Sequence, residues 1–187
     1  MQLLLFVAVW FQVLSAVAGY PSGAPVDRCG NMTPGHSVPQ QSSPSPYTIR
    51  ISNNTFSPNQ PIQVTIQGPV YLGLLLQALS NTSTGAVGTW GTPPLNTKYL
   101  ACSGSNSAIT HANRNIKNSE TIYTWIPPDS LQMAFIRATV VSNRTTFWVN
   151  LSSEMLTKAP GSNAPADAKM AAAPVVFLAL LTSMVLQ

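Results

Sequence analysis

Charged side chains are scarce in this chain: nine Lys and Arg and five Asp and Glu, or 7% of 187 residues. A cytosolic enzyme surface carries several times that share, about a quarter of all residues, so the composition points elsewhere. The net charge of +4 is spread thinly, without a run of Lys or Arg. That excludes a nucleic-acid footprint and supports only weak attraction to anionic glycans or lipids. Helical periodicity is missing as well outside the two termini, which excludes a helix bundle. The chain has two His and two Cys, and no Gly-rich phosphate loop, paired carboxylates or Ser nucleophile elbow. Nothing makes a positive case for catalysis, and no cofactor is expected.

What is abundant sits at the ends and on the surface. Residues 1–18 run apolar through "LLLFVAVWFQVL" and close on Ala16-Val17-Ala18, the small-x-small pattern of a signal peptide. The apolar core is about a dozen residues, shorter than the roughly 20 that span a bilayer; an uncleaved anchor is the alternative. At the other end, "AAAPVVFLALLTSMVLQ" (171–187) has no charge within it and no basic flank beyond it. Gly161, Ser162, Asn163 and Ala164 are small, and polar residues separate them from the tail. Small site, spacer and apolar tail form the signal for a glycosylphosphatidylinositol anchor, with Ser162 the preferred attachment residue; a short single span is the alternative. Between the ends lies one domain, expected over 19–155, followed by a polar stalk over 156–170. Five triplets, at Asn31, Asn53, Asn81, Asn143 and Asn150, are N-glycosylation acceptors, and sugars there would supply hydration that charge does not.

The domain itself reads as short strands. "YTIRI" alternates, "IQVTIQ" sets Ile62, Val64 and Ile66 on one face, and "VYLGLLLQA" is apolar enough for burial on both sides. Strands resume at "TIYTWI", "MAFIRATVV" and "TTFWVNL", where Phe147, Val149 and Leu151 alternate with Thr146, Trp148 and Asn150. Residues 34–46, rich in Pro, Ser and Gln, are expected as an extended strap, and residues 81–118 as a loop-rich middle. Short strands divided by turn signals predict an all-β protein, a two-sheet sandwich with long loops.

Two constellations require a choice. Cys29 and Cys102 in an oxidising lumen are expected as a disulfide; a Cys/His metal site with His36 and His111 is the alternative, although its spacings match no usual zinc pattern. His111 lies beside Arg114 and Lys117, so these three are candidate ligand contacts; a histidine bonded to loop backbone is the other reading. The aromatics Trp125, Phe135, Phe147 and Trp148 are at strand spacing and are expected in the core.

Taken together, "YPSGAP", Cys29, Met32, "PGH", Pro46-Tyr47, "FSPNQPIQVTI", "YLGLLLQAL", Cys102, "ITH" and "FIRATVV…TTFWVNLSS" resemble the reeler domain. That family includes modules of reelin, F-spondin and the ferric-chelate reductase group, and small insect defence proteins. The resemblance implies an immunoglobulin-like β-sandwich with Cys29 and Cys102 as its disulfide, and it sets Asp27 and His36 on a strap beside that bond. In the reductase relatives, electron transfer belongs to downstream DOMON and cytochrome b561 modules that are not seen here. The expectation is a non-catalytic module at the outer membrane leaflet, in innate defence, contacting microbial glycolipid or glycan. An adhesion or matrix module binding glycosaminoglycan or protein is the second reading, and a remnant of the reductase group the third.

Overall fold

The computed structural model describes residues 19–161, and within them each run that alternates in the sequence is a strand. The signal segment, the attachment residue Ser162 and the apolar tail lie outside the described residues. The strands are β1 (Thr48–Ile51), β2 (Thr55–Phe56), β3 (Ile62–Gln67), β4 (Gly73–Leu79), β5 (Thr89–Trp90), β6 (Thr97–Leu100), β7 (Ala108–His111), β8 (Tyr123–Ile126), β9 (Met133–Asn143) and β10 (Thr146–Lys158). One sheet has the order β1-β3-β8-β5 and the other β2-β10-β9-β4-β7-β6. Every pairing is antiparallel except that of β2 with β10. This is the two-sheet, immunoglobulin-like sandwich expected from the sequence. No helix among the described residues is long and apolar enough to cross a membrane.

The middle of the chain differs from expectation. Residues 81–118 contain β5, β6 and β7, and β7 is a buried strand between β4 and β6. β5 has two residues, too few to show a period of two, and neither "TKYL" of β6 nor "AITH" of β7 alternates polar with apolar side chains. A second difference lies in β10. Trp148 pairs with Val140 and Leu151 with Ala138, so β10 carries one residue more than β9 between these pairs. The extra residue is accommodated by a bulge in which Asn150 takes φ 60°. Trp148 and Leu151 therefore pack on the inter-sheet core, while Val149 points to the other face. The unbroken alternation of Phe147, Val149 and Leu151 predicted from sequence does not hold.

Between the sheets Trp90, Trp125, Tyr71, Tyr123, Leu76 and Ile136 are fully buried. Their polar ends are satisfied there, as burial requires. Trp125 Nε1 donates to the Val87 carbonyl at 3.0 Å, Trp90 Nε1 to that of Ser107 at 3.2 Å, and the Tyr71 and Tyr123 hydroxyls meet at 2.9 Å. A smaller cluster of Met32, Leu75, Leu100 and Ala108, packed with Ala24, Cys29, Cys102 and Val149, lies on the outer face of the six-stranded sheet. Hence β4 is buried on both faces, as its apolar run requires.

Candidate functional site

Three polar residues interrupt the buried strands: Gln77 in β4, Thr110 in β7 and Thr139 in β9, none more than 3% exposed. By register all three face outward, toward the chain that precedes β1. Gln77 Nε2 donates to the Cys29 carbonyl at 2.9 Å, and Thr139 Oγ1 to the Met32 carbonyl at 2.6 Å. Thr110 Oγ1 accepts the Ala24 N–H at 2.9 Å while donating to the Leu74 carbonyl at 2.8 Å. Each such bond contributes about 1 kcal/mol net, and each would leave a buried group unsatisfied if lost. Gly23 passes close to β7 at φ +116°, where a Cβ would stand 2.7 Å from the His111 carbonyl and 2.6 Å from Lys98 Cε. The disulfide of Cys29 with Cys102 closes the arrangement at a Cα–Cα distance of 5.5 Å. It consumes both thiols, so the metal-site alternative has no sulfur ligand to use. Further along, Gln41 and Ser43 tie the Pro-rich segment to β10, through Phe147 and the Trp148 indole.

The segment that precedes β1, residues 19–46 and hereafter the strap, does not fill the space beneath it. A cavity of about 410 Å³ remains between residues 19–36 and the outer face of β4 and β9. Met32, Gly73, Leu75 and Thr139, all buried, form its floor. Arg28, half-buried, and Arg114 and Arg144, both exposed, stand among its lining residues with His36 and His111, and among the described residues no Asp or Glu does. Arg28 lies over the Tyr20 ring at 5.7 Å and donates from Nη2 to the Tyr20 hydroxyl at 3.2 Å. Its Nε faces Asp27 Oδ2 at 3.4 Å without hydrogen-bond alignment, so this surface pair contributes little.

The two histidines behave differently. His111 Nε2 donates to the Tyr20 carbonyl at 2.7 Å, and Nδ1 lies 3.2 Å from both the N–H and the carbonyl of Leu74. Both nitrogens are thus engaged with backbone. His36 packs edge-on against Phe147 at 5.1 Å and keeps a buried Nδ1 with no hydrogen-bond partner among the described residues. Burial, then the charges of Arg144 and His111, hold its pKa below the ordinary imidazole value. Among the described residues the site offers fixed positive charge over an apolar floor.

Of the three candidate contacts, His111 and Arg114 do line the cavity. Lys117 does not. It is 2% exposed, and its amine donates to the carbonyls of Leu72 and Asn115 at 2.8 Å and of Asn113 at 3.3 Å. Its backbone pairs with Tyr71, which carries the side chain inward. Burial pulls its pKa down to about 8. Sequence reasoning missed Arg28, Arg144 and the three polar ties. The signal for the ties was a lone polar residue inside an apolar strand, as in "GLLLQAL". The five acceptor asparagines are all exposed, and Asn31, Asn53 and Asn143 each accept the backbone N–H of the Thr two residues on, at 2.9, 3.1 and 3.0 Å. Asn143 also lines the cavity.

Residues 27–164 match the family model of the Reeler domain. The chain is 38% identical over 149 residues to "Putative defense protein Hdd11" of Hyphantria cunea, a match that covers 75% of this chain and 89% of that protein. It is 31% identical over 149 residues to "Ferric-chelate reductase 1" of Bos taurus, covering 78% of this chain but 25% of the reductase. Among solved structures, the human F-spondin reeler domain aligns with a TM-score of 0.53 and 16% identity, over 65% of this chain and 94% of its own. That last likeness is one of fold.

Proposed function

Because the chain belongs to the reeler domain family, we propose that it is an extracellular, membrane-attached binding module of innate defence that recognises anionic components of microbial surfaces and performs no chemistry of its own. The observation that carries this reading is the cavity lined by Arg28, Arg114 and Arg144, with no carboxylate among the described residues that line it. The relative named as a defence protein supports it, since that match spans most of both chains. The reductase match spans a quarter of its relative, which gives no support for carrying the reductase activity across. Attachment to the outer leaflet through a lipid on Ser162, and glycans on Asn31, Asn53, Asn81, Asn143 and Asn150, belong to the same proposal.

Titration of the secreted, glycosylated domain with lipopolysaccharide, peptidoglycan and heparin at rising salt tests it. The expected result is binding to a microbial component that persists above physiological salt, because apolar contact is not screened, while heparin binding fades. Heparin binding alone, with no affinity for either microbial component, selects the adhesion or matrix reading, to which the exposed Arg114 and Arg144 are equally suited. Phospholipase C specific for phosphatidylinositol should release the protein from intact cells; recovery of Phe177 and Leu178 in the mature surface protein overturns the lipid anchor.

A further inference from the structure

The cavity has a direction. Its floor at Met32 and Leu75 is apolar and closed off by the sheet, while Arg114 and Arg144 reach solvent. Arg114 and Arg144 at the exposed end and the half-buried Arg28 line the same space, and planar guanidinium forks match carboxylate and phosphate oxygens in particular. His36 adds a buried ring nitrogen that has no hydrogen-bond partner among the described residues. At about 410 Å³ the space lies toward the lower end of the range of small-molecule sites, roughly 300–1,000 Å³, which fits one chain better than a bundle of them. We propose that the cavity takes a single alkyl chain ended by an anion, the carboxylate or phosphate monoester held by Arg28, Arg114 and Arg144 and the chain laid over Leu75 and Val141 toward Met32. This deepens the binding-module reading and rests on it for its biological setting. The chain can belong to a free amphiphile or to a membrane lipid.

Calorimetric titration of the mature glycosylated protein with dodecanoate and dodecyl phosphate, kept below micelle formation, tests the site directly. Dodecyltrimethylammonium and dodecanol serve as cationic and neutral controls. Both anions should bind, and both controls should bind at least about tenfold more weakly, the loss expected when one charge-assisted hydrogen bond is missing. Val141→Trp, which fills the cavity, should abolish binding. Arg114→Glu with Arg144→Glu should weaken it by about tenfold or more while keeping the acceptor triplet at Asn143. Secretion with the Cys29–Cys102 bond intact is the folding control; if Val141→Trp fails it, the exposed arginine pair carries the test. Equal binding of the cationic and anionic chains, no binding of either anion, or binding that survives the arginine reversals overturns the proposal. Phosphatidylglycerol vesicles separate the sources: co-sedimentation lost in Val141→Trp assigns the chain to a membrane lipid, and binding confined to free amphiphiles assigns it to those. Lipopolysaccharide binding that persists in Val141→Trp overturns the cavity as its site and leaves the defence reading standing. Amphiphile binding without lipopolysaccharide or peptidoglycan binding does the reverse.

Discussion

On its inner face β4 presents Leu74, Leu76 and Ala78 to a core closed by the second sheet; on its outer face it presents Gly73, Leu75 and Gln77 to a strap that forms no strands. The inner layer meets a regular partner, so side chains from two pleated faces can interdigitate to crystal-like density. The strap has no repeating geometry with which to do this. It is held instead at a few points, by a disulfide and by Gln77, Thr110 and Thr139, and it leaves a cavity where those points are absent. One face of the sheet is therefore built from area and the other from specific bonds, and the candidate binding site lies in the second. Loosely covered surface over a rigid scaffold is where a binding site can vary without unfolding the domain.

The largest effect should come from the inner layer. Trp125 is fully buried and its indole satisfies the Val87 carbonyl, so Trp125→Ala should cost about 3–5 kcal/mol by cavity formation and largely abolish secretion. Denaturant midpoints, or secreted yield where the variant is too unstable to purify, measure it. A loss below about 1 kcal/mol would mean that the inter-sheet core does not dominate stability as argued.

Replacing both cysteines, Cys29→Ser with Cys102→Ser, should cost about 2–5 kcal/mol, since the bond closes a separation of 73 residues. The comparison sharpens in where the loss appears. Amide exchange at Ala24 and Met32 on the strap should speed up under native conditions far more than exchange at Val64 in β3, because the inner layer keeps its packing. Equal acceleration at all three sites would show that the layers unfold as one unit and that their division is only geometric.

The inner layer was largely legible in the sequence because it rests on periodicity. "IQVTIQ" and "VYLGLLLQA" state their faces directly, and Ile62, Val64 and Ile66 are buried as read. The disulfide was legible from the number of cysteines and the compartment. The outer layer was not, for two physical reasons. Its contacts join residues far apart in sequence, 107 positions in the case of Thr139 and Met32, and no local pattern encodes them. Its cations are single residues in unrelated loops: Arg28 follows Asp27, Arg144 sits in an acceptor triplet, and only folding gathers them. Lys117 misled because a lysine near a histidine reads as surface charge, whereas three backbone carbonyls hold its amine inside.

High pH should act on the inner layer first. Burial raises the Tyr71 pKa to about 12 and raises that of Tyr123 as well, so both stay protonated in the folded state after the unfolded chain has begun to lose those protons near 10. The folded pKa values lie above the unfolded ones, so this contribution is complete below pH 10 and is lost as pH rises through 12. The slope is at most about 1.4 kcal/mol per pH unit for each tyrosine. Lys117, held down at about 8, works with the opposite sign between pH 8 and 10.5 and must be separated. Denaturation of the wild type and of Tyr71→Phe with Tyr123→Phe between pH 9 and 12 does so, because the lysine is common to both. The double variant should lose less stability over that range, and parallel curves would remove the tyrosines from the account.

The smallest effect belongs to the strap's own ties, and it decides how independent the outer layer is. Thr139→Val keeps the shape of a side chain that is 3% exposed and deletes the hydroxyl that donates to the Met32 carbonyl. A buried acceptor left without a partner costs about 1–3 kcal/mol, the upper value applying where nothing can relax. Here the strap can shift toward solvent, because Met32 is held at φ 55°, an αL conformation that non-glycine residues seldom adopt and that the loss of this bond would release. The expected cost is therefore near the lower value, about 1 kcal/mol, together with faster exchange of the Met32 amide and no change at Val64. A cost of about 3 kcal/mol with slower secretion would show a strap as rigid as the inner core, and the cavity beneath it would then be a fixed receptor rather than one that its cover can adjust.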